Sequence, residues 1–225
     1  MRVVDLGCGD GSLTAWLHEQ LRASETVGVD NSERMLGAAA KQGARGLRFE
    51  LSDITMFTPE RPFDLVFANA SLQWVPDHEA LWPRLCGLLA PGGHIAVQVP
   101  ANDDHVSHMT ADNLAGEEPF AGALGGFPRA FDRVLRASRY SELLWEIGCE
   151  EQMVQLNIYP HVMPGYEAVV EWVRGTYLTA YDARLGPALF AQFCAGYERR
   201  LAAAIPQRPY LYTYPRILMW GRLPV

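Results

Sequence analysis

Val3-Val4-Asp5-Leu6-Gly7-Cys8-Gly9-Asp10-Gly11-Ser12 is a short apolar run that stops at a loop of three glycines. Leu13, Trp16, Leu17 and Leu21 follow at helical spacing. The stretch reads as strand, tight turn, helix. Glycines at alternate positions let the backbone turn sharply and come close to a bound molecule. The helix that follows aims its first amides at the same spot. The glycine pattern, Gly7-x-Gly9-x-Gly11, differs from the G-x-G-x-x-G of a dinucleotide loop. Asp5, two residues before the first glycine, disfavours a pyrophosphate and suits a cationic group such as a sulfonium or an amine.

Downstream, strand and helix patterns alternate. The sequence predicts strands at residues 2–6, 26–30, 47–51, 63–69 and 94–99, and helices at 11–21, 31–40 and 78–89, with Ala90-Pro91-Gly92-Gly93 as the turn ending the last of these. Such alternation predicts an α/β, doubly wound, mostly parallel sheet. Asp30 ends the second strand about 20 residues past the glycine loop, where an acid binds both hydroxyls of a ribose. Asp53 follows the third strand and faces the same crevice, where it can accept from an adenine amine. Met35 stands on the first turn of the second helix, placed to pack on the adenine. Asn69 ends the fourth strand and Trp74 offers an apolar wall. Three acids at successive strand ends, with this glycine spacing, favour S-adenosylmethionine over a nicotinamide dinucleotide.

Beyond Pro100 the pattern weakens. A helix is expected to start near Asn102–His108, and residues 115–131, rich in Gly and Pro, read as a mobile loop. His105 and His108 lie three apart without a nearby third ligand, so no metal site is read. Helices are expected at 138–147, 166–176 and 187–205, and late strands at 149–163 and 210–223. The last two strands form a hairpin-like sheet edge with a helical lid inserted.

At 225 residues the chain is read as one domain, with residues 1–100 as cofactor-binding core and 101–225 as substrate lid and sheet edge. Hydrophobic content of 49% and charged content of 20% are those of a globular protein. No apolar run reaches the ~18 residues of a membrane span, and no secretory leader is read. A net charge of −7, with no basic stripe, argues against nucleic acid. Four scattered cysteines, without a CxxC, point to a reducing cytoplasm.

The ordered set VVDLGCGDG (3–11), VGVD (27–30), Asp53-Ile54, FDLVFANASLQWV (63–75) and LLAPGGHIAVQVP (88–100) resembles class I S-adenosylmethionine-dependent methyltransferases. Together with YPHVMP (159–164), VVEWV (169–173) and YPRILMWGRLP (214–224), it is similar to the trans-aconitate 2-methyltransferase family over nearly the whole chain. The resemblance implies a seven-stranded Rossmann-like sheet and transfer of a methyl group to a carboxylate of a small polycarboxylic acid. It implies that Gly7, Gly9 and Gly11 approach the methionine part and ribose, with Asp5 near the sulfonium or amino end. Asp30 would bind the ribose, Asp53 the adenine amine, Ile54 and Met35 the ring faces, and Asn69 the amino acid end. Gln73 and Trp74 would face the methyl group. Family members carry a helix and an aromatic-rich stretch before the first strand. This sequence opens on that strand, so weaker cofactor affinity and poorer exclusion of water are expected.

A carboxylate acceptor is ionised at neutral pH and needs no general base, so no catalytic dyad is expected. Its other carboxylates need cations and donors. The candidates are Arg129, Arg139, His161, Arg174 and Arg216, with Tyr140, Trp172 and Tyr214 as walls or donors; Arg216 stands out in an apolar last strand. A hydroxyl, amine or carbon acceptor would instead need His105, His108 or His161 as base. A protein that binds the cofactor without turnover is the third reading.

Overall fold

The computed structural model describes residues 1–127 and 134–225. Its strands are β1 Arg2–Leu6, β2 Glu25–Asp30, β3 Leu47–Leu51, β4 Phe63–Asn69, β5 Leu89–Pro100, β6 Glu151–Met163 and β7 Tyr210–Arg222. The helices are α1 Ser12–Gln20, α2 Glu33–Ala39, α3 His78–Cys86, α4 Val106–Ala115, α5 Phe120–Leu124, α6 Ala137–Ile147, α7 Tyr166–Arg174 and α8 Thr179–Ala204. The strands form one sheet in the order β3-β2-β1-β4-β5-β7-β6. β1 to β5 pair in parallel and β7 runs antiparallel to β5. This is the doubly wound, mostly parallel seven-stranded sheet expected from the sequence.

The chain divides into two compact units. Unit 1 holds Met1–Pro100, α6 with the first half of β6, and Arg216–Val225. Its central strands are apolar without alternation because both faces of the sheet are covered; Val3, Val4 and Leu6 of β1 and Val27 and Val29 of β2 are all buried. The strand order reverses between β1 and β4, since β2 and β3 lie on one side of β1 and β4 and β5 on the other. A crevice at the carboxyl ends of the strands belongs at that reversal.

Three expected boundaries change. α3 stops at Cys86 rather than Leu89, and β5 begins at Leu89 rather than His94. Phe63 N–H reaches back to the Leu88 carbonyl at 2.9 Å, and Gly92 N–H donates to Pro224 O at 2.7 Å. These long-range bonds hold residues 88–93 in the sheet, with an irregularity in register between Phe63 and Leu65. A proline-glycine string that looks like a turn is here an irregular strand start. The loop expected over 115–131 contains α5, anchored by buried Phe120 edge-on to Phe193 with ring centroids 5.2 Å apart. The helix expected from Pro187 starts at Thr179 and is broken at Gly186, whose φ of 70° and ψ of 164° no helix contains. Pro187 therefore opens a second helical segment.

Unit 2 packs α4, α5, α7 and α8 around Leu114, Phe120, Val169, Val173, Leu178, Phe193, Tyr197 and Tyr212. It also buries polar groups. Ser107 Oγ lies 3.1 Å from His108 Nδ1 and 2.8 Å from His105 Nδ1, and His105 Nε2 lies 2.9 Å from the Tyr210 hydroxyl. Burial pushes His108 down to about 3, with neighbouring His105 adding to the effect; burial lowers His105 as well. His108 is therefore neutral in the folded state near neutral pH.

The linkage has a definite sign. Below pH ~6.5 the unfolded chain takes up a proton at His108 that the folded chain refuses, so stability falls as pH drops toward 3. The slope expected from His108 alone is about 1.4 kcal/mol per pH unit below ~6. Melting temperatures measured from pH 7.5 to 4.5 should drop steeply for the native chain and more gently for His108→Gln. Parallel curves would show that His108 does not control acid sensitivity.

Candidate active site

Gly7, Gly9 and Gly11 all take positive φ, at 79°, 56° and 74°. The amides of Gly7 and Cys8 donate to the Val29 carbonyl at 2.7 and 3.0 Å, tying the loop to β2. Gly9 N–H donates to Asp30 Oδ2 and Ser32 N–H to Asp30 Oδ1, each at 2.9 Å. One carboxylate thus clamps the glycine loop to the start of α2.

The three glycines have three different reasons. A Cβ at Gly7 would lie 2.2 Å from Ser71 Cβ. Ser71 is itself fixed, donating from Oγ to the Leu6 carbonyl at 2.6 Å. A Cβ at Gly9 would meet nothing within 4 Å, because it would project into open space. A Cβ at Gly11 would meet the Phe49 ring at 2.6 Å and Ala39 at 2.9 Å. Gly11 serves packing and caps α1; the crevice wall does not include it.

That crevice is a cavity of about 670 Å³. Gly7, Gly9, Asp30, Met35, Asp53 and Ile54 line it. Trp74, 40% exposed, closes it with Ala70 and Ser71. Asp53 Oδ1 accepts from the backbone N–H of Thr55 at 2.8 Å and from its hydroxyl at 2.6 Å. These bonds hold the Asp53 carboxyl below the usual carboxylate range, so it is ionised at neutral pH.

Asp5 lies behind the wall rather than on it. It is buried and accepts from Thr14 Oγ1 at 2.6 Å. Burial pushes it up to about 6, against the lowering effect of Thr14, and the nearby charge of Asp30 raises it further. The loop therefore sits in a field of two carboxylates, which favours a cation close by.

The other expected residues scatter. Asn69, at the exposed end of β4, is not part of the cavity wall. Gln73 donates from Nε2 to the Ala70 carbonyl at 2.7 Å, stabilising the turn that carries Trp74. Tyr140 is fully buried against Trp82 in the core of unit 1, so it cannot be a wall or donor for an acceptor. Arg139 is bound by Glu79, Glu142 and Glu146 on the surface, and Arg174 by Glu171. Arg216 pairs across the sheet with Pro100 at the carboxyl end of β5, donating from Nη1 to Gln98 Oε1 at 2.5 Å. The rings of His161 and Trp172 meet at a tilt within unit 2, centroids 5.0 Å apart, beside Tyr214. Arg129 falls outside the described residues.

Sequence reading passed over Asn31, Ser32, Thr55, Ala70, Ser71, Val75 and Pro76, which also line the cavity. Thr55 carried a signal, because an Asp followed two residues later by Thr closes an Asx-turn. Ala70 carried none: its φ of 53° is imposed by the turn between β4 and α3.

A methyltransferase domain model matches residues 1–141. The chain is 41% identical to trans-aconitate 2-methyltransferase of Deinococcus radiodurans, over 99% of this chain and 87% of that one. It is 43% identical to the enzyme of that name from Variovorax paradoxus, over 97% and 85%. The chain belongs to the trans-aconitate 2-methyltransferase family. This methyltransferase shares its fold with the YcgJ protein from Bacillus subtilis at a TM-score of 0.64 and 15% identity, over 100% of this chain and 92% of that one. It does so too with the plantazolicin methyltransferase BpumL in complex with SAH, at a TM-score of 0.55 and 16% identity, over 100% and 76%. Its cofactor is S-adenosylmethionine.

The residues present fit that cofactor. The cavity falls in the range of small-molecule sites. Gly9 leaves open the space that a side chain would take. Carboxylates at Asp30 and Asp53 and apolar surfaces at Met35, Ile54 and Trp74 match a nucleoside with a cationic tail.

Proposed function

We propose that this methyltransferase esterifies one carboxylate of a small polycarboxylic acid, such as trans-aconitate, to give its monomethyl ester. The observation that carries this reading is the identity of about two residues in five with curated trans-aconitate 2-methyltransferases across nearly the whole chain.

When bound, S-adenosylmethionine supplies an electrophilic methyl group on a sulfonium. This chain's residues bind and orient. Gly7 and Gly9 bring backbone against the methionine part and ribose. Asp30 takes the ribose hydroxyls while keeping Gly9 and Ser32 in place. Asp53 accepts from the adenine amine, and Met35 and Ile54 cover its faces. Asp5 adds negative charge behind the loop, and Trp74 faces the transferred group. The acceptor carboxylate, with a pKa near ~4, is already ionised, so no side chain has to remove a proton. Alignment and exclusion of water supply the rate enhancement. A reducing cytoplasm is supported by four free cysteines.

Labelled-methyl transfer to trans-aconitate, isocitrate and citrate tests the reading. Methyl ester from trans-aconitate, with a rate flat between pH 7 and 9, is expected. Transfer only to hydroxyl or amine acceptors, or binding of S-adenosylhomocysteine without transfer to any acid, would sink it.

Arg216 is assigned to a second carboxylate of the acceptor. A charged hydrogen bond is worth about 1.5–3 kcal/mol, so Arg216→Ala should raise the acceptor KM roughly tenfold to a hundredfold. The dissociation constant for S-adenosylhomocysteine should stay within about twofold of the native value. Unchanged acceptor kinetics would remove Arg216 from the site.

A further inference from the structure

The turn that carries Trp74 is held from behind by a chain of hydrogen bonds that passes through two buried side chains. His78, first residue of α3, is buried with Nε2 2.9 Å from the Leu72 carbonyl. A carbonyl only accepts, so Nε2 carries the proton. Nδ1, on the other side of the ring, lies 2.5 Å from the Tyr140 hydroxyl. The Tyr140 oxygen in turn accepts from the Leu135 backbone N–H at 3.1 Å. The hydrogen bonds run from Leu135 through Tyr140 and His78 to Leu72.

Both ends of this chain matter. Leu72 begins the 3-10 turn Leu72–Trp74, whose neighbours Ala70, Ser71, Trp74 and Val75 line the cofactor cavity. Leu135 lies just ahead of α6, two residues before its first residue Ala137. The next residue pair along the two helices locks the same contact from outside. Arg139 donates to both oxygens of Glu79, at 2.8 Å from Nε and 2.7 Å from Nη2. The Tyr140 ring also packs on Trp82, centroids 5.4 Å apart. Apolar packing alone would be met by Phe at 140 and any apolar residue at 78. A buried Tyr–His–carbonyl chain has a further effect: it fixes the height and direction of one backbone carbonyl.

We propose that Tyr140 and His78 are positioning residues for the methyl-donor site, setting the Ala70–Trp74 turn through the Leu72 carbonyl. The front of the turn is tied to the sheet by Ser71 Oγ to the Leu6 carbonyl at 2.6 Å and Ala70 N–H to the Gln98 carbonyl at 2.9 Å, and His78 holds the Leu72 carbonyl from behind. Its internal bonds are Trp74 N–H to Ser71 O at 3.2 Å and Val75 N–H to Leu72 O at 2.8 Å, with Gln73 reaching back to Ala70. Ala70 already occupies the left-handed region, which an alanine enters only under constraint. Without the His78 bond the Leu72 carbonyl keeps only Val75 N–H, the Leu72–Trp74 turn loosens, and the wall made by Trp74 shifts. The inference rests on the cofactor reading of the cavity, but its first test does not.

Tyr140→Phe keeps the ring and its packing and removes only the hydroxyl. Amide hydrogen exchange without any ligand should rise about tenfold in peptides spanning residues 70–76, and stay unchanged in β1, β2 and β4. His78→Gln retains a donor that can reach Leu72 and should exchange close to the native chain, whereas His78→Ala should exceed Tyr140→Phe. Calorimetric titration with S-adenosylhomocysteine should follow the same order, with binding about tenfold weaker in Tyr140→Phe and restored toward native in His78→Gln. Exchange that rises evenly over the whole sheet, or that leaves residues 70–76 untouched, would overturn the proposal. If the native chain fails to bind S-adenosylhomocysteine, the cofactor reading falls, and the exchange pattern alone still decides whether the relay sets the turn.

Discussion

Asp30→Ala should weaken S-adenosylhomocysteine binding by two to three orders of magnitude while the chain stays folded. Asp30 does three things with one carboxylate. Oδ2 holds the Gly9 amide and Oδ1 the Ser32 amide, each at 2.9 Å, and the same group is assigned the ribose hydroxyls. Each hydrogen bond to a charged group is worth about 1.5–3 kcal/mol. Losing the ribose bonds and freeing the glycine loop together should cost about 3–4 kcal/mol of binding. Asp30→Asn keeps one oxygen acceptor and should fall between the two. Calorimetric titration, with circular dichroism as the check on folding, decides the matter. An alanine variant that binds within threefold of the native chain would show that Asp30 does not face the ligand.

Alanine at Gly7 and at Gly9 should fail in opposite ways, although the two residues are two apart in one loop. At Gly7 the new Cβ would lie 2.2 Å from Ser71 Cβ and 2.8 Å from Ser71 Oγ. Ser71 cannot retreat without breaking its bond to the Leu6 carbonyl. Overpacking of about 1–3 kcal/mol adds to about 1 kcal/mol for a left-handed alanine. A melting temperature lower by roughly 6–12 °C is expected for a chain of this size. At Gly9 the Cβ meets nothing, so the melting temperature should move by only about 2–4 °C. That Cβ projects into the cavity, and binding of S-adenosylhomocysteine should drop tenfold or more. Equal losses of stability in the two variants would contradict the geometry.

Local chemistry explains why much of this was legible. A continuous apolar run such as Val3-Val4 before glycines reads as a buried parallel strand, because burial on both faces removes the need for alternation. Asp30 and Asp53 each follow such a run, and the ends of parallel strands open on one crevice, so two acids far apart in the chain could be placed on one wall. Met35, Ile54 and Trp74 line the same cavity. Less local features were hidden. Pro91-Gly92-Gly93 looked like a turn because its partners, Leu223 and Pro224, are remote. Phe120 anchors α5 against Phe193, a contact that glycine-rich composition conceals.

Tyr140 shows the limit most plainly. In the sequence it is an aromatic residue next to Arg139, read as a wall or donor for the acceptor. In the fold its hydroxyl is spent on His78, itself read only as a helix start.

By itself, then, the sequence determined the order of strands and helices, the glycine loop, the acids of the nucleoside wall and the family. The elements, the loop and the acids follow from periodicity, turn chemistry and the spacing of residues within about one strand-helix unit; the family follows from the resemblance of whole motifs. Tertiary structure alone decided that Gly7 answers to Ser71, that Gly11 serves packing, that Asp5 lies behind the wall, and that the turn at Trp74 leans on Tyr140. Each of those facts depends on which residues, 60 or more positions apart for Gly7 with Ser71 and for His78 with Tyr140, are brought to within one bond length of contact. No local pattern encodes that distance.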